Sequence, residues 1–268
     1  MSRIIIQRSK GFGDVIAATA IATHLFRAGH KVAFQTEPLC RQVLENHPHI
    51  ESVSPSNSEK PHMDFDSEEV HENQKLNHLQ ECYAKIAKKW IPMAYPVIRP
   101  EMSVTEEESR WVFSVLKNYP RPWIFICPGS WQAMGRTVSQ ATWTAVMFKI
   151  SGSFFNPTNS PLSGAIGIGN GTFRGLMQAM RHADCLLTVD SGPMHVAASL
   201  FVPVVAIEQA WPIHLRIPTG AQCETVSCNL PCSPCREHIC PRADIPNKAF
   251  PPCQTVNADA IVAAYRRL

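Results

Sequence analysis

The run RIIIQ (Arg3 to Gln7), the glycine turn SKGFGD, the stretch VIAATAIATHLFRAGH and the run KVAFQT follow one another at the start of the chain. A short β-branched run reads as a buried strand, and apolar residues at three- and four-residue spacing read as a helix. Strand, helix, strand is the unit from which parallel sheets with helices on their faces are built. With 268 residues, 45% of them apolar, the chain is long enough to repeat that unit and bury real cores.

The pattern continues. PLCRQVLENHPHI is the next helix candidate and ESVSPS a third short strand, while residues 55–75 are polar and acidic with little periodicity and read as a solvating surface loop. HLQECYAKIAKKW and TEEESRWVFSVLKNY are helical, the second opened by Thr105 with Glu108 at capping-box spacing. WIFIC, CLLTV (Cys185 to Val189) and VPVVAIE (Val202 to Glu208) are a second series of strands separated by helical patterns. The expected organisation is an α/β protein of two halves, 1–119 and 120–268, divided near Tyr119. Within the second half, Ser151 to Thr172 is rich in Gly, Ser, Asn and Pro, and no strand is placed there.

A net charge of +3 with 18% charged residues lacks the concentrated basic stripe of a nucleic-acid binder, yet repels no phosphate-bearing substrate. The N-terminal apolar run is three residues, too short for a signal peptide, and nothing approaches the roughly 18 apolar residues that span a bilayer. A soluble cytosolic protein is expected. Of ten cysteines, six fall between Cys223 and Cys253, so a metal or a local staple is favoured over a chain-wide disulfide framework.

Three turns carry groups suited to chemistry. GFGD puts Asp14 at a helix start, at the carboxyl end of a strand where open α/β sheets bind ligands; Asp14 is read either as a functional carboxylate or as a cap. PGS, with GRT beyond it, follows WIFIC and is expected to open a helix, bringing Arg136 and Thr137 to the sheet mouth, where an arginine's planar fork suits a diphosphate. TVDSGPMHVAASL turns from strand to helix through Asp190, Ser191, Gly192 and Pro193, with His195 in the first turn. Free amides there suit an anion, and Asp190 is read as a ligand contact or a helix cap. GAIGIGNG departs from the dinucleotide fingerprint, since Thr172 stands where the third glycine counted from Gly167 would be. Cys232 and Cys235 form a C-x-x-C pair, with Cys240 and Cys253 following, and are read as thiolate ligands for a metal or as reduced thiols.

Together, GFGDVIAATAIATHL, PGS with GRT, and DSGPMHVAASLFVPVVAI resemble the heptosyltransferase family, glycosyltransferase family nine, and LPCSPCREHICP followed by Cys253 is similar to a tail found in many of its members. The resemblance implies a GT-B fold, two Rossmann-like domains facing across a cleft, with the acceptor on the N-terminal domain and a nucleotide-sugar on the C-terminal one. It implies Asp14 as general base of an inverting transfer and donor binding by Arg136, Thr137, Asp190, Ser191, Gly192 and His195. ADP-heptose is the family's default donor and a lipopolysaccharide core its acceptor, so transfer in the cytoplasm or at the inner face of the membrane is expected. The family needs no cofactor for the chemistry, and a structural zinc or iron at Cys232, Cys235, Cys240 and Cys253 stays open, as does a homo-oligomer organised by that tail. A protein or modified-DNA acceptor, and a catalytically silent relative that only binds a nucleotide-sugar, are the alternatives. No glutamate lies between Ser109 and Ile207, so the acidic residue often used on the donor's ribose has no counterpart there.

Overall fold

The computed structural model describes residues 2–92, 98–130, 133–158, 161–237, 240–242, 244 and 251–268, the side chains of 133 and 134 excepted. Two compact units divide the chain: Met1–Val104 with Ala198–Leu200 and His214–Ala221, and Thr105–Ala197 with Phe201–Ile213 and Gln222–Leu268. Each is a parallel α/β sheet of Rossmann-like kind, as the sequence leads one to expect.

In the first unit, β1 (Arg3–Gln7) leads into α1 (Phe12–Arg27), β2 (Lys31–Thr36), β3 (Ser52–Pro55) and β4 (Met63–Asp64), then α2 (Glu68–Asn73) and α3 (Leu79–Ala87). The sheet order is β3-β2-β1-β4, all parallel. Ile4 pairs with Val32 and Ile6 with Phe34, so one face of β1 and β2 is a fully apolar surface, which helices such as α1 are needed to cover. In the alternate register Gln7 stands beside Gln35 and Asp64, a polar row in the sheet. Gln7 is held there by the Asn57 amide at 2.9 Å and by Asp64 Oδ1 at 3.4 Å.

Residues 55–75 are more than the solvating loop read from their composition. They contain β4, which completes the sheet, and α2, and they bury Met63 and Phe65. Phe65 stacks on Tyr83 of α3 with ring centroids 4.3 Å apart. A two-residue strand is too short to display periodicity, so two buried side chains among acidic neighbours leave no signal. The helix expected from Pro38 onward is only a 3-10 turn, Pro38–Val43, ending before Asn46 at φ 58.

The second unit opens with α4 (Glu106–Leu116), which packs on α6 and precedes the division expected near Tyr119. Its capping box forms as the spacing predicts: the Glu108 amide donates to Thr105 Oγ1 at 3.1 Å and the Thr105 amide to Glu108 Oε2 at 2.8 Å. Glu108 also accepts from Arg174 at 2.6 Å, tying the cap of α4 to the helix beneath it.

Next come β5 (Trp123–Cys127), the hairpin β6 (Gly129–Ser130) and β7 (Ala133–Thr137), α5 (Gln140–Lys149), β8 (Ser153–Asn156) and β9 (Ile166–Gly167). Then follow α6 (Phe173–Met180), β10 (Cys185–Val189), α7 (Gly192–Ser199), β11 (Val204–Glu208), β12 (Cys223–Ser227) and α8 (Ala258–Tyr265). The main sheet runs β12-β11-β10-β5-β8-β9, all parallel. Every residue of β5, β8 and β10 is buried, around a core that includes Trp143 and Leu187. The Gly/Ser/Asn-rich stretch therefore does hold a strand. SFFN pairs with β5, Phe155 beside Phe125, and its four residues are masked in the sequence by the turn-forming composition around them. No described helix is long and apolar enough to cross a membrane.

A histidine in the first unit gives a pH response. His47 is buried and accepts the His49 amide at Nδ1 (3.2 Å); burial, then the neighbouring His49, pushes its pKa down to about 4. The unfolded chain takes up this proton below about pH 6.5 while the folded chain resists until about 4, so folding weakens as pH falls through that window. The shift corresponds to a loss of about 3 kcal/mol by pH 4. Urea unfolding between pH 7 and pH 4 should show this slope in the native chain and a shallower one in His47→Gln; equal slopes would refute it.

Candidate active site

The first cluster forms where β1 ends. Gly11 is the N-cap residue of α1 at φ 82, and Asp14 stands in the first turn of that helix. A Cβ on Gly11 would stand 2.3 Å from Asp14 Oδ2, which is why a glycine occupies the position. Asp14 pairs with Arg8: Nη2 lies 3.2 Å from Asp14 Oδ1. Nη1 of the same guanidinium reaches Asp66 Oδ1 at 3.2 Å and donates to the Phe65 carbonyl at 3.0 Å. Asp66 is fixed in turn by the Ser9 amide at 2.9 Å and the Ser9 hydroxyl at 2.6 Å.

Burial works against the Arg8 cation, but the Asp14 and Asp66 carboxylates outweigh it and hold the group above the usual arginine range. Burial pushes the Tyr83 hydroxyl well up, so it stays protonated. Arg8, Ser9 and Asp66 were not singled out from the sequence. Arg8 carried one signal, its place directly after a strand whose next turn bears a candidate carboxylate; Asp66 sat in a stretch that composition marks as solvent-facing.

The second cluster forms on β7 and where β10 ends. Arg136 lies within the antiparallel β6-β7 hairpin and does not open a helix; α5 begins only at Gln140, with Ser139 as its cap. Gly129 faces Thr137, and a Cβ there would stand 2.8 Å from Thr137 Oγ1, so the glycine lets the hairpin close. Arg136 Nη1 pairs with Asp190 Oδ2 at 3.1 Å and donates to the Asp190 carbonyl at 3.2 Å. Both side chains are largely buried, and Arg136 Nε has no hydrogen-bond partner among the described residues. Asp190 is thus the partner of Arg136, with the guanidinium's remaining donors left for another anion.

Ser191 turns inward: its hydroxyl donates to the Val189 carbonyl at 3.1 Å and lies 3.1 Å from Thr188 Oγ1. Gly192 starts α7, and His195, in its first turn, is buried. The structure therefore brings Arg136 and Asp190 into contact at the start of α7, with Gly192 and His195 following in the helix. Ser191 keeps the turn closed rather than presenting its hydroxyl.

The cysteine segment packs onto the same hairpin. Buried Gln209 donates to the Thr137 carbonyl at 2.8 Å and the Cys253 carbonyl at 2.6 Å, and its own carbonyl accepts from the Ser233 hydroxyl. All ten cysteines are free thiols, so the local staple is not formed. Cys232, Cys235, Cys240 and Cys253 line one cavity, and burial, then the neighbouring Cys228 and the other three, pushes the Cys253 thiol up to about 11. Four sulfurs are the right donors for zinc or iron, yet among the described residues no group of three or more His, Cys, Asp or Glu is set to hold a metal ion.

Residues 168–245 match the family model described as Glycosyltransferase family 9 (heptosyltransferase). The match spans Asp190, Ser191, Gly192 and His195 and leaves Asp14 and Arg136 outside it. No curated protein matches the chain. Among solved structures, the glycosyl transferase family 9 protein of Veillonella parvula DSM 2008 is similar at TM-score 0.73 and 15% identity, over 99% of this chain and 96% of that one. The E. coli ADP-heptose lps heptosyltransferase II gives TM-score 0.71 and 13% identity over 100% and 98%. The iron-containing dodecameric glycosyltransferase TibC of enterotoxigenic E. coli H10407 gives TM-score 0.71 and 13% identity over 99% and 77%. These likenesses bear out the GT-B fold class, and the family match over 168–245 bears out the resemblance to the heptosyltransferase family.

Removing Asp190 leaves the Arg136 cation largely buried without its carboxylate. Asp190→Ala should lower stability by about 2 to 4 kcal/mol in urea unfolding. A loss below about 0.5 kcal/mol would mean the pair behaves like an exposed ion pair.

Proposed function

We propose that this heptosyltransferase-like chain transfers a sugar from a nucleotide-sugar to a hydroxyl acceptor, with Asp14 as general base and Arg136 as anchor of the donor's diphosphate. The observation that carries the reading is Arg136, oriented by Asp190 and retaining donors, at the start of α7 beside the segment that matches the family. A helix start offers amides and a favourable dipole to an anion, and a preset guanidinium adds charge without further reorganisation.

In the transfer, an Asp14 carboxylate oxygen accepts the acceptor hydroxyl's proton as that oxygen bonds to the anomeric carbon. The bond from the anomeric carbon to the diphosphate breaks, and its electron pair leaves on the phosphate oxygen. The growing negative charge is met by Arg136, the Gly192 amide and His195, with Thr137 and Ser191 keeping the hairpin and the turn in place. Attack opposite the leaving group inverts the anomeric centre. The nucleoside diphosphate and one proton are released.

ADP-heptose is the donor proposed, since ADP-heptose is named for the E. coli heptosyltransferase II that shares the fold. A lipopolysaccharide-core acceptor would place the reaction in the cytoplasm, at the inner membrane face. The tail is read as support for β7. Cys232, Cys235, Cys240 and Cys253 would be the ligands of a structural zinc or iron drawn in among them, and no step of the transfer passes through that group.

The test is ADP release from ADP-heptose in the presence of lipopolysaccharide core. Asp14→Asn should lower kcat by about a hundredfold or more with KM for the donor within about threefold. A native protein that is stabilised by ADP but turns over no nucleotide-sugar would identify a silent binder instead.

A further inference from the structure

Two carboxylates share the Arg8 guanidinium, and they differ in what they have left to give. Asp66 is saturated: Oδ1 takes Arg8 Nη1 and the Ser9 amide, and Oδ2 takes the Ser9 amide and hydroxyl. Its own amide donates to Asp64 Oδ1 at 2.9 Å, and Asp64 is held by Gln7. Asp14 has one charged partner among the described residues, Arg8 at Oδ1. Its Oδ2 lies over the bare Cα of Gly11. Arg8 itself is fixed at three points, the Phe65 carbonyl, Asp66 and Asp14.

We infer that Arg8 is the positioning residue for Asp14: anchored by Asp66, it fixes one carboxylate oxygen of Asp14 and thereby aims the other at the acceptor hydroxyl. This rests on Asp14 being the base. The geometry explains why one aspartate of the pair serves chemistry and the other serves as anchor, since a base needs an oxygen with free acceptor capacity and a fixed direction. It also assigns a role to the acidic segment around Asp66, which closes the cluster from β4. Arg8 touches neither reacting atom in this scheme, so its effect should pass entirely through Asp14.

The experiment uses the full chain and the variants Arg8→Met, Arg8→Lys, Asp66→Asn and Asp14→Asn, singly and with Arg8→Met combined with Asp14→Asn. With ADP-heptose and lipopolysaccharide core, Arg8→Met should lower kcat at least about tenfold while KM for ADP-heptose stays within about threefold. Arg8→Lys should recover part of that loss, since its charge reaches one carboxylate but not both, and Asp66→Asn should lose kcat because Arg8 is no longer anchored. In the Asp14→Asn background, Arg8→Met should cost nothing further. Unchanged kcat in Arg8→Met, or a loss that simply multiplies with that of Asp14→Asn, would overturn the inference. If Asp14→Asn keeps full turnover, or the native chain releases no ADP, the base reading has failed. The coupling is then judged from melting temperatures of the same four-member cycle. Non-additive shifts uphold the Arg8–Asp14 linkage, and additive shifts overturn it.

Discussion

A parallel strand delivers its carboxyl end to the amino end of the helix that follows it. Both candidate clusters depend on that constraint. β1 runs through Gly11 into α1, and β10 runs through Ser191 into α7, so each turn gathers side chains where helix amides point outward. The first turn needs a glycine because the Asp14 carboxylate occupies the space a Cβ would take. The second is closed by the Ser191 hydroxyl folding back on the strand it leaves.

The same rule of charge governs both ends. A guanidinium removed from water is tolerated when a carboxylate meets it, and each cluster supplies one: Asp66 and Asp14 for Arg8, Asp190 for Arg136. The two clusters leave different groups over. At β1 the spare capacity is an acceptor oxygen on Asp14, suited to take a proton; on the hairpin it is a set of N–H donors on Arg136, suited to hold an anion. That division matches the needs of a displacement in which one partner loses a proton and the other leaves as a diphosphate.

The strands and helices that were legible in the sequence are mostly those with long or β-branched apolar patterns, β1, β2, β5, β10 and β11 with α1, α3 and α4, joined by the short β3 and by α7 after its turn. β4 and β8 were hidden, the one by its two-residue length among acidic neighbours, the other by glycine and proline on either side. Of the candidate site, Asp14, Arg136 and the turn from Asp190 to His195 were visible as residue types after strands. Their partnerships were not. That Asp190 belongs to Arg136 requires β7 to lie beside the end of β10, and that Arg8 answers both Asp14 and Asp66 requires β4 to pair with β1. Such pairings depend on distant segments meeting, which local pattern does not encode. Likewise, Cys232, Cys235, Cys240 and Cys253 do share one cavity, while Cys223, in the same sequence cluster, lies on β12.

The chemistry proposed for these two clusters is a single displacement in which a carboxylate takes a proton as the diphosphate departs. The anomeric configuration of the first-formed product, read by proton NMR during turnover of ADP-heptose, tests it most directly. Inversion relative to the donor is the expected result. Retention would require a second displacement, which Asp14 acting as a base does not provide, and would contradict the single-displacement mechanism.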